Sequence, residues 1–245
     1  MNKKTNQSLA GVPLNKYISV AGVCSRRNAV LLIKDGHVKI NGKVVKEPGV
    51  RVGSDDVVKV KNRVVRSQEL AYVVLNKPRG VVTTVSDEKG RHTVLELVSL
   101  AAKQRIYPVG RLDVNTTGVL ILTNDGDLAQ KLAHPKGRIA KVYDVTVHKA
   151  LPPEAPDAIK KGIRIDGSVL QVDDCLLLPS PKNNKIRVTI HSGKNRIIRR
   201  LFEVLGYIVE RLDRVSFAGI SKKGLALGQW RLLTKSEIEK LKSVN

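Results

Sequence analysis

Gly110-Arg111-Leu112-Asp113-Val114-Asn115-Thr116-Thr117-Gly118-Val119-Leu120-Ile121-Leu122-Thr123-Asn124-Asp125-Gly126 is the stretch on which the reading of this chain turns. Its first half is polar and turn-prone. Its second half opens with the apolar run Val119 to Leu122, which reads as a buried strand. Asn124-Asp125-Gly126 then turns the chain, and Asp127 is expected to cap a helix reaching Ala133. Tyr107-Pro108-Val109 precedes the polar half, so Asp113 is expected in a loop held between two apolar strands. An aspartate so placed usually closes an Asx turn on nearby backbone. The other reading is a carboxylate held for chemistry, and the loop by itself leaves both open.

Working outward, Tyr72-Val73-Val74-Leu75 reads as an apolar strand. Asn76-Lys77-Pro78-Arg79-Gly80 breaks it with turn residues, and Val81 to Thr84 is expected to resume it. Thr93 with Glu96 forms a capping-box pattern for a short helix. Downstream, Val142 to Val147 alternates as a half-buried strand should. A helix near Glu154–Lys161, strands around Val169–Leu178 and Lys185–Ile190, and a helix from Ile197 to Leu205 follow, the last ended by Gly206. Thr234 with Glu237 opens a C-terminal helix. Many strands with few helices imply an α+β domain on a mixed or antiparallel sheet, placed at residues 71–240.

Residues 12–62 read as a separate helix–helix–hairpin unit. Leu14, Ile18 and Ala21 share a helical face, and Gly22 stops it. Ser25 is expected to cap a second helix, Arg26 to Lys34, which Asp35-Gly36 ends. Val38 and Ile40 form a strand, Asn41-Gly42 a type I′ hairpin turn, and Lys43-Val44-Val45 the return. Asp56 to Val60 closes the unit. Its basic residues, notably Arg26, Arg27, Lys34 and Lys39, are candidates for phosphate contact; two of them open a helix, where backbone N–H groups also favour anions. The polar stretch 63–70 is read as a linker.

Composition points the same way. The 245 residues carry 44 Lys+Arg against 22 Asp+Glu, a formal charge of +22. So large an excess repels itself in the compact state and calls for a partner of opposite sign. Nucleic acid fits best, since each neutralised phosphate releases counterions. No apolar run approaches the ~20 residues that span a bilayer. Met1-Asn2-Lys3-Lys4 is basic, but Thr5-Asn6-Gln7-Ser8 offers no apolar stretch after it, so no signal peptide is expected. Cys24 and Cys175 lie far apart and the five histidines are scattered, so reduced thiols, a cytoplasmic location and no metal site are expected.

The motifs narrow this further. The 110–126 stretch, followed by Leu128-Ala129, Leu132 and His134-Pro135, closely resembles the signature of the RsuA/RluB-type pseudouridine synthases. Asn76-Lys77-Pro78-Arg79-Gly80-Val81 is similar to that family's first motif, and Lys141-Val142-Tyr143-Asp144-Val145 to its Lys-x-Tyr strand. Gly193-Lys194-Asn195-Arg196-Ile197-Ile198-Arg199-Arg200-Leu201-Phe202 is similar to its late basic motif, and Leu212-Asp213-Arg214 follows in the same order. Residues 12–62 resemble the small RNA-binding domain first described in a small-subunit ribosomal protein. The late motif departs from the family at Ser192, Ile197 and Leu201, where Glu, Gln and Met are common, which leaves hydrogen bonds around that motif in question.

The resemblance implies isomerisation of uridine in ribosomal RNA to pseudouridine. The reaction breaks the glycosidic bond, turns the uracil and joins the sugar to carbon 5. It conserves atoms and electrons, so no cofactor is expected. The resemblance assigns Asp113 as nucleophile and Arg199 as its ion-pair partner, offsetting the tendency of burial to neutralise a carboxylate. It assigns Tyr143 to stacking and proton transfer, and Leu212 to packing against the base. Reaching the base requires flipping it from its stack, and Lys77, Arg79, Arg111 and Arg196 are candidates for the phosphate contacts that help. The look of the Asp113–Thr116 run leans to 23S rRNA, with 16S rRNA as the alternative. Ribosomal RNA or a ribosomal subunit precursor is the expected partner and a monomer the expected state. Two rivals stand: a non-catalytic RNA-binding or ribosome-assembly protein, and a DNA-binding regulator, which needs a dimeric recognition helix.

Overall fold

The computed structural model describes residues 11–134 and 137–244. The start of the chain, read above for a signal peptide, and Pro135 of the His134-Pro135 pair lie outside the described residues. The contacts divide the chain into two compact units, one of residues 11–71 with Asn124–Gly126 and one holding the remainder.

In the first unit, β1 (Val12–Pro13) leads into α1 (Leu14–Val20) and α2 (Arg26–Lys34). The Ser25 side chain caps α2 by accepting from the Asn28 amide at 3.2 Å. Gly36 takes the left-handed turn that the helix end requires, at φ 75°. Then follow β2 (Val38–Ile40), β3 (Lys43–Val44), β4 (Arg51–Val52), β5 (Val58–Val60) and β6 (Arg63–Val64). β4 pairs with β1, and the other four form a sheet in the order β3-β2-β5-β6. Asn41 and Gly42 both have positive φ, as a type I′ turn demands. Leu14, Ile18, Ala29, Ile33, Val38, Val52 and Val58 make the core.

Two expectations change here. The closing strand starts at Val58, because Asp56 is spent on the turn, accepting from the Gly53 amide at 2.6 Å and from Asn41 Nδ2 at 2.7 Å. The stretch read as a linker from residue 63 opens with a strand. Lys61 and Asn62 sit at φ 49° and 64°, a second tight turn that folds Arg63–Val64 back on β5.

The second unit comprises β7 (Tyr72–Lys77), α3 (Val94–Leu97), β8 (Tyr107–Pro108), β9 (Thr116–Thr123), α4 (Gly126–Ala133), β10 (Lys141–Val147), α5 (Ala155–Lys160), β11 (Ile163–Ile165), β12 (Ser168–Leu170), β13 (Asp174–Leu178), β14 (Lys185–Ile190), α6 (Ile197–Val204), β15 (Val209–Phe217), β16 (Ile220–Ser221), β17 (Trp230–Leu232) and α7 (Lys235–Ser243). A nine-stranded sheet runs β13-β14-β10-β15-β9-β7-β17, with β16 on β15 and β8 on β9. All its pairs are antiparallel except β15 with β9. The α+β class with a mixed sheet is therefore as expected. Thr93 and Thr234 both carry the capping boxes read from sequence.

The sheet departs from expectation chiefly in two places. β7 runs on through Asn76 and Lys77, and the strand expected at Val81–Thr84 is reduced to one bridge from Val82 to Thr93. β15, at the middle of the sheet, went unread because Glu210, Arg211, Asp213 and Arg214 mask its alternation. The parallel contact of β15 with β9 places Leu212 opposite Thr116 and Arg214 opposite Gly118. Gly118 has φ 108°, and a Cβ there would collide with the Arg214 carbonyl. Gly118→Ala is thus expected to destabilise the protein by about 3 kcal/mol or more, combining backbone strain with overpacking. Chemical denaturation of the two proteins checks this.

Candidate active site

Asp113 lies in the loop that joins β8 to β9, and the loop is pinned from beneath. Lys77 is fully buried at the end of β7. Its ammonium donates to the carbonyls of Pro78 at 3.0 Å, Asp113 at 3.2 Å, Val114 at 3.3 Å and Thr116 at 3.1 Å. Burial pushes its pKa down to about 8, opposed by the charge of Asp113, so the cation persists at neutral pH. The expectation that Lys77 contacts phosphate is thereby corrected: its head is sealed in the protein, where it gathers the loop carbonyls, adding to the backbone N–H groups of Thr116 and Gly80 that already reach Asp113 and Val114. Thr83 adds a second tie, donating to the Leu112 carbonyl at 2.9 Å. Lys77→Met removes the charge and the four ammonium contacts to the loop carbonyls. It is expected to cost about 3 kcal/mol of stability or more and to lower turnover through a loosened Asp113 loop, both readable from denaturation and single-turnover assays on one preparation.

The late motif comes to the same loop from α6. Arg196 stands at its N-cap in a left-handed conformation, φ 47°, unusual for a non-glycine residue. Arg196 Nη1 is 3.8 Å and Arg199 Nε 3.9 Å from Asp113 Oδ2. Both are ion-pair distances, longer than hydrogen bonds. The two arginines differ in setting. The Arg196 side chain is 54% exposed and that of Arg199 15%. Arg199 also anchors itself by donating Nη1 to the Val209 carbonyl at 3.0 Å. Burial, then the neighbouring charges of Arg196 and Arg79, lower the Arg199 pKa, while Asp113 raises it.

Asp113 borders a cavity of about 150 Å³, a size that holds one aromatic ring. Arg111, Thr116, Tyr143, Arg196, Leu212 and Arg214 share its wall. Tyr143 on β10 is paired with Arg214 on β15, and Val145 with Leu212. Side chains alternate along a strand, so Tyr143, Leu212, Arg214 and the opposing Thr116 present to one face of the sheet. The structure thus brings together Asp113, Tyr143, Leu212, Arg111, Arg196 and Arg199. Arg79 is exposed at the end of β7 and acts electrostatically on Arg199. Of the departures from the motif, Ile197 and Leu201 are buried in the core with Phe202, and Ser192 Oγ accepts from the Lys194 amide at 3.3 Å.

In the first unit, Arg26, Arg27 and Lys34 are exposed on α2. Lys39 is half-buried and donates to Asn62 Oδ1 at 3.2 Å. Among the described residues no helix is long and apolar enough to cross a membrane.

Sequence reasoning assigned no role to Lys141 or Arg214, which also line the cavity. Both stood inside quoted motifs, and the available signal was a cationic residue at an inward-facing strand position. Lys141 donates to the carbonyls of Ile139 at 3.1 Å and His191 at 3.0 Å, and burial, aided by the Arg214 charge, pushes its pKa down to about 8.

Comparison with known proteins places this arrangement. Residues 12–58 match the S4 domain, and residues 71–204 match the model described as RNA pseudouridylate synthase. The ribosomal large subunit pseudouridine synthase B of Bacillus subtilis (strain 168) is 43% identical over 234 residues, which cover 94% of this chain and 96% of that relative. The dual-specificity RNA pseudouridine synthase RluF of Escherichia coli O6:H1 is 38% identical, covering 94% of this chain and 78% of its own. A crystal structure of a pseudouridylate synthase superposes with TM-score 0.65 at 30% identity, over 94% of this chain and 99% of that one. With the loop, the strand tyrosine and the late basic helix all falling within the matched span, this chain belongs to the RNA pseudouridine synthase family and is of the RsuA/RluB type.

Proposed function

We propose that the protein converts a uridine of large-subunit ribosomal RNA, 23S in bacteria, into pseudouridine, with Asp113 as nucleophile. The observation that carries this is the Asp113 carboxylate at the rim of a ring-sized cavity, with Arg196 and Arg199 within 4 Å and Tyr143 and Leu212 on the wall. A flipped uracil stacks on Tyr143 and packs against Leu212. The Tyr143 hydroxyl exchanges the proton at carbon 5. The reaction needs no cofactor, because its atoms and electrons balance without one. The name of the Bacillus relative supports the large subunit as the source of the substrate. Tritium release from [5-³H]uridine-labelled rRNA tests the activity. Pseudouridine mapping in cells lacking the protein tests the address: an intact 23S pattern with one site missing from 16S rRNA overturns it.

The S4 unit supplies affinity in this reading, acting on a cytoplasmic ribosomal precursor as a monomer. Exposed Arg26 and Arg27 at the start of α2 contact phosphates. Arg26→Ala combined with Arg27→Ala is expected to weaken rRNA binding and to flatten the slope of log affinity against log salt by roughly one to two. Turnover at saturating RNA stays near wild type. Binding titrations at several salt concentrations make the measurement, and an unchanged slope removes these residues from the interface.

A further inference from the structure

Arg214 is a buried cation without an anion. It is 3% exposed. Its Nε donates to the Val119 carbonyl at 2.8 Å, and its guanidinium lies over the Phe217 ring, 4.6 Å from the centroid. Neither terminal nitrogen has a hydrogen-bond partner among the described residues, and Nη2 is fully enclosed. No carboxylate among them pairs with it; Asp213, its neighbour on β15, faces away and is taken by Lys222 and Thr117. Lys141, another cation, feels its charge. Arginine is almost never buried without a partner, and an unsatisfied buried polar group calls for an explanation. Arg214 lines the cavity with Asp113, Tyr143 and Leu212. Thr116 Oγ1, on the same face, is likewise buried and partnerless.

We infer that Arg214 is the group that reads the carbonyl edge of the flipped uracil and takes up the charge reaching that edge as the glycosidic bond breaks; this rests on the uridine isomerisation proposed above. Asp113 bonds to C1′ as the bond between C1′ and N1 breaks with its electron pair on the base, spread from N1 onto O2 and O4. The base turns about the line through N3 and C6, which exchanges N1 with C5 and O2 with O4. C1′ then leaves the Asp113 carboxylate to bond to C5, the C5 proton leaves, and N1 takes up a proton. No oxidant or reductant enters. A donor fixed in the wall therefore meets a carbonyl oxygen both before and after the turn. Cytosine carries an amino group in place of O4, so at one end of the turn it sets N–H against N–H. A guanidinium, which cannot deprotonate or accept, enforces that rejection. Because the negative charge on the oxygens exists only once the bond is breaking, the interaction acts on kcat more than on KM.

The test uses the full-length chain and an rRNA fragment carrying the mapped target as uridine, 2-thiouridine or 4-thiouridine, sulfur being the weaker acceptor. Arg214→Met is expected to lower kcat on uridine by about 10²- to 10³-fold, the range for losing one oxyanion donor, with KM within a few-fold. Arg214→Lys recovers part of the loss. In the wild type both thio substrates turn over more slowly. In Arg214→Met the thio penalty falls to within about twofold, because the partner of the altered atom is gone. A structural role changes the melting temperature and the rate on every substrate but leaves the thio penalty intact, and that result overturns the inference. If Arg214→Met does not fold, Arg214→Lys carries the comparison, and an undiminished thio penalty in it is equally fatal. Wild-type protein that isomerises no uridine in any rRNA overturns the proposed function and this inference together.

Discussion

Replacing Asp113 with asparagine is expected to abolish pseudouridine formation, by at least ~10⁴-fold in single-turnover rate, the scale on which removal of a nucleophile acts. The substitution keeps size and shape and removes only the charge and nucleophilicity of one oxygen. The surroundings predict that little else changes. The carboxylate is 34% exposed, and its two arginine contacts at 3.8 and 3.9 Å are ion pairs without hydrogen-bond geometry. Partly exposed pairs of that kind contribute about 0 to 1 kcal/mol. The loop itself is held through its backbone carbonyls by Lys77 and Thr83, which the substitution does not touch. Affinity for rRNA is expected to stay within a few-fold, since the cations around the loop remain. Tritium release and filter binding on the same preparation separate the two effects. Ordinary turnover by Asp113→Asn would falsify the assignment, and loss of binding in parallel with turnover would show that the carboxylate shapes the site instead of reacting in it.

The division between what could and could not be read from sequence follows from the range of the interactions. Helix caps, tight turns and alternation are local, so α2 with Ser25, the Asn41-Gly42 turn and both capping boxes were legible. Asn76 and Lys77 looked like turn residues because both are polar. They belong to a strand, since Asn76 Nδ2 donates to the Leu225 carbonyl at 2.8 Å and Lys77 reaches carbonyls more than 30 positions away. No local pattern announces a partner at that distance. β15 failed for a related reason. Its outer face carries Asp213, satisfied by Lys222 and Thr117, and its inner face carries Arg214 where alternation calls for an apolar residue. A charge at an inward position reads as a break in the pattern until the cavity beneath it is seen. For Asp113, the loop was legible but the chemistry was not: the two arginines that meet it come from α6, some eighty positions later, and only the joint resemblance of the motifs connected them.

The arginine pair yields the second large effect, and the magnitudes favour one member. Two like charges at nearly equal distance from Asp113 do not count equally, because the attraction between unit charges scales inversely with the effective dielectric. Arg196 is more than half exposed, so water and salt screen it, and its long side chain is free to leave. Arg199 is 15% exposed and tethered through Nη1 to Val209. Its guanidinium fork holds the β15 backbone with one nitrogen and faces the carboxylate with another. Burial and the nearby Arg196 and Arg79 charges both work against it, and Asp113 is the group that offsets them. Arg199→Ala is therefore expected to lower kcat by about 10²- to 10³-fold, as for loss of one preorganised electrostatic partner. Arg199→Lys recovers only part, because a single ammonium cannot make both contacts at once. Arg196→Ala is expected to cost less than about tenfold in kcat, in keeping with a screened surface pair, with a larger share of its effect on RNA affinity. Single-turnover rates and binding constants for the three variants decide the matter. An Arg196→Ala defect in kcat as deep as that of Arg199→Ala would move the role to the exposed residue, and would mean that bound RNA excludes the water that now screens it.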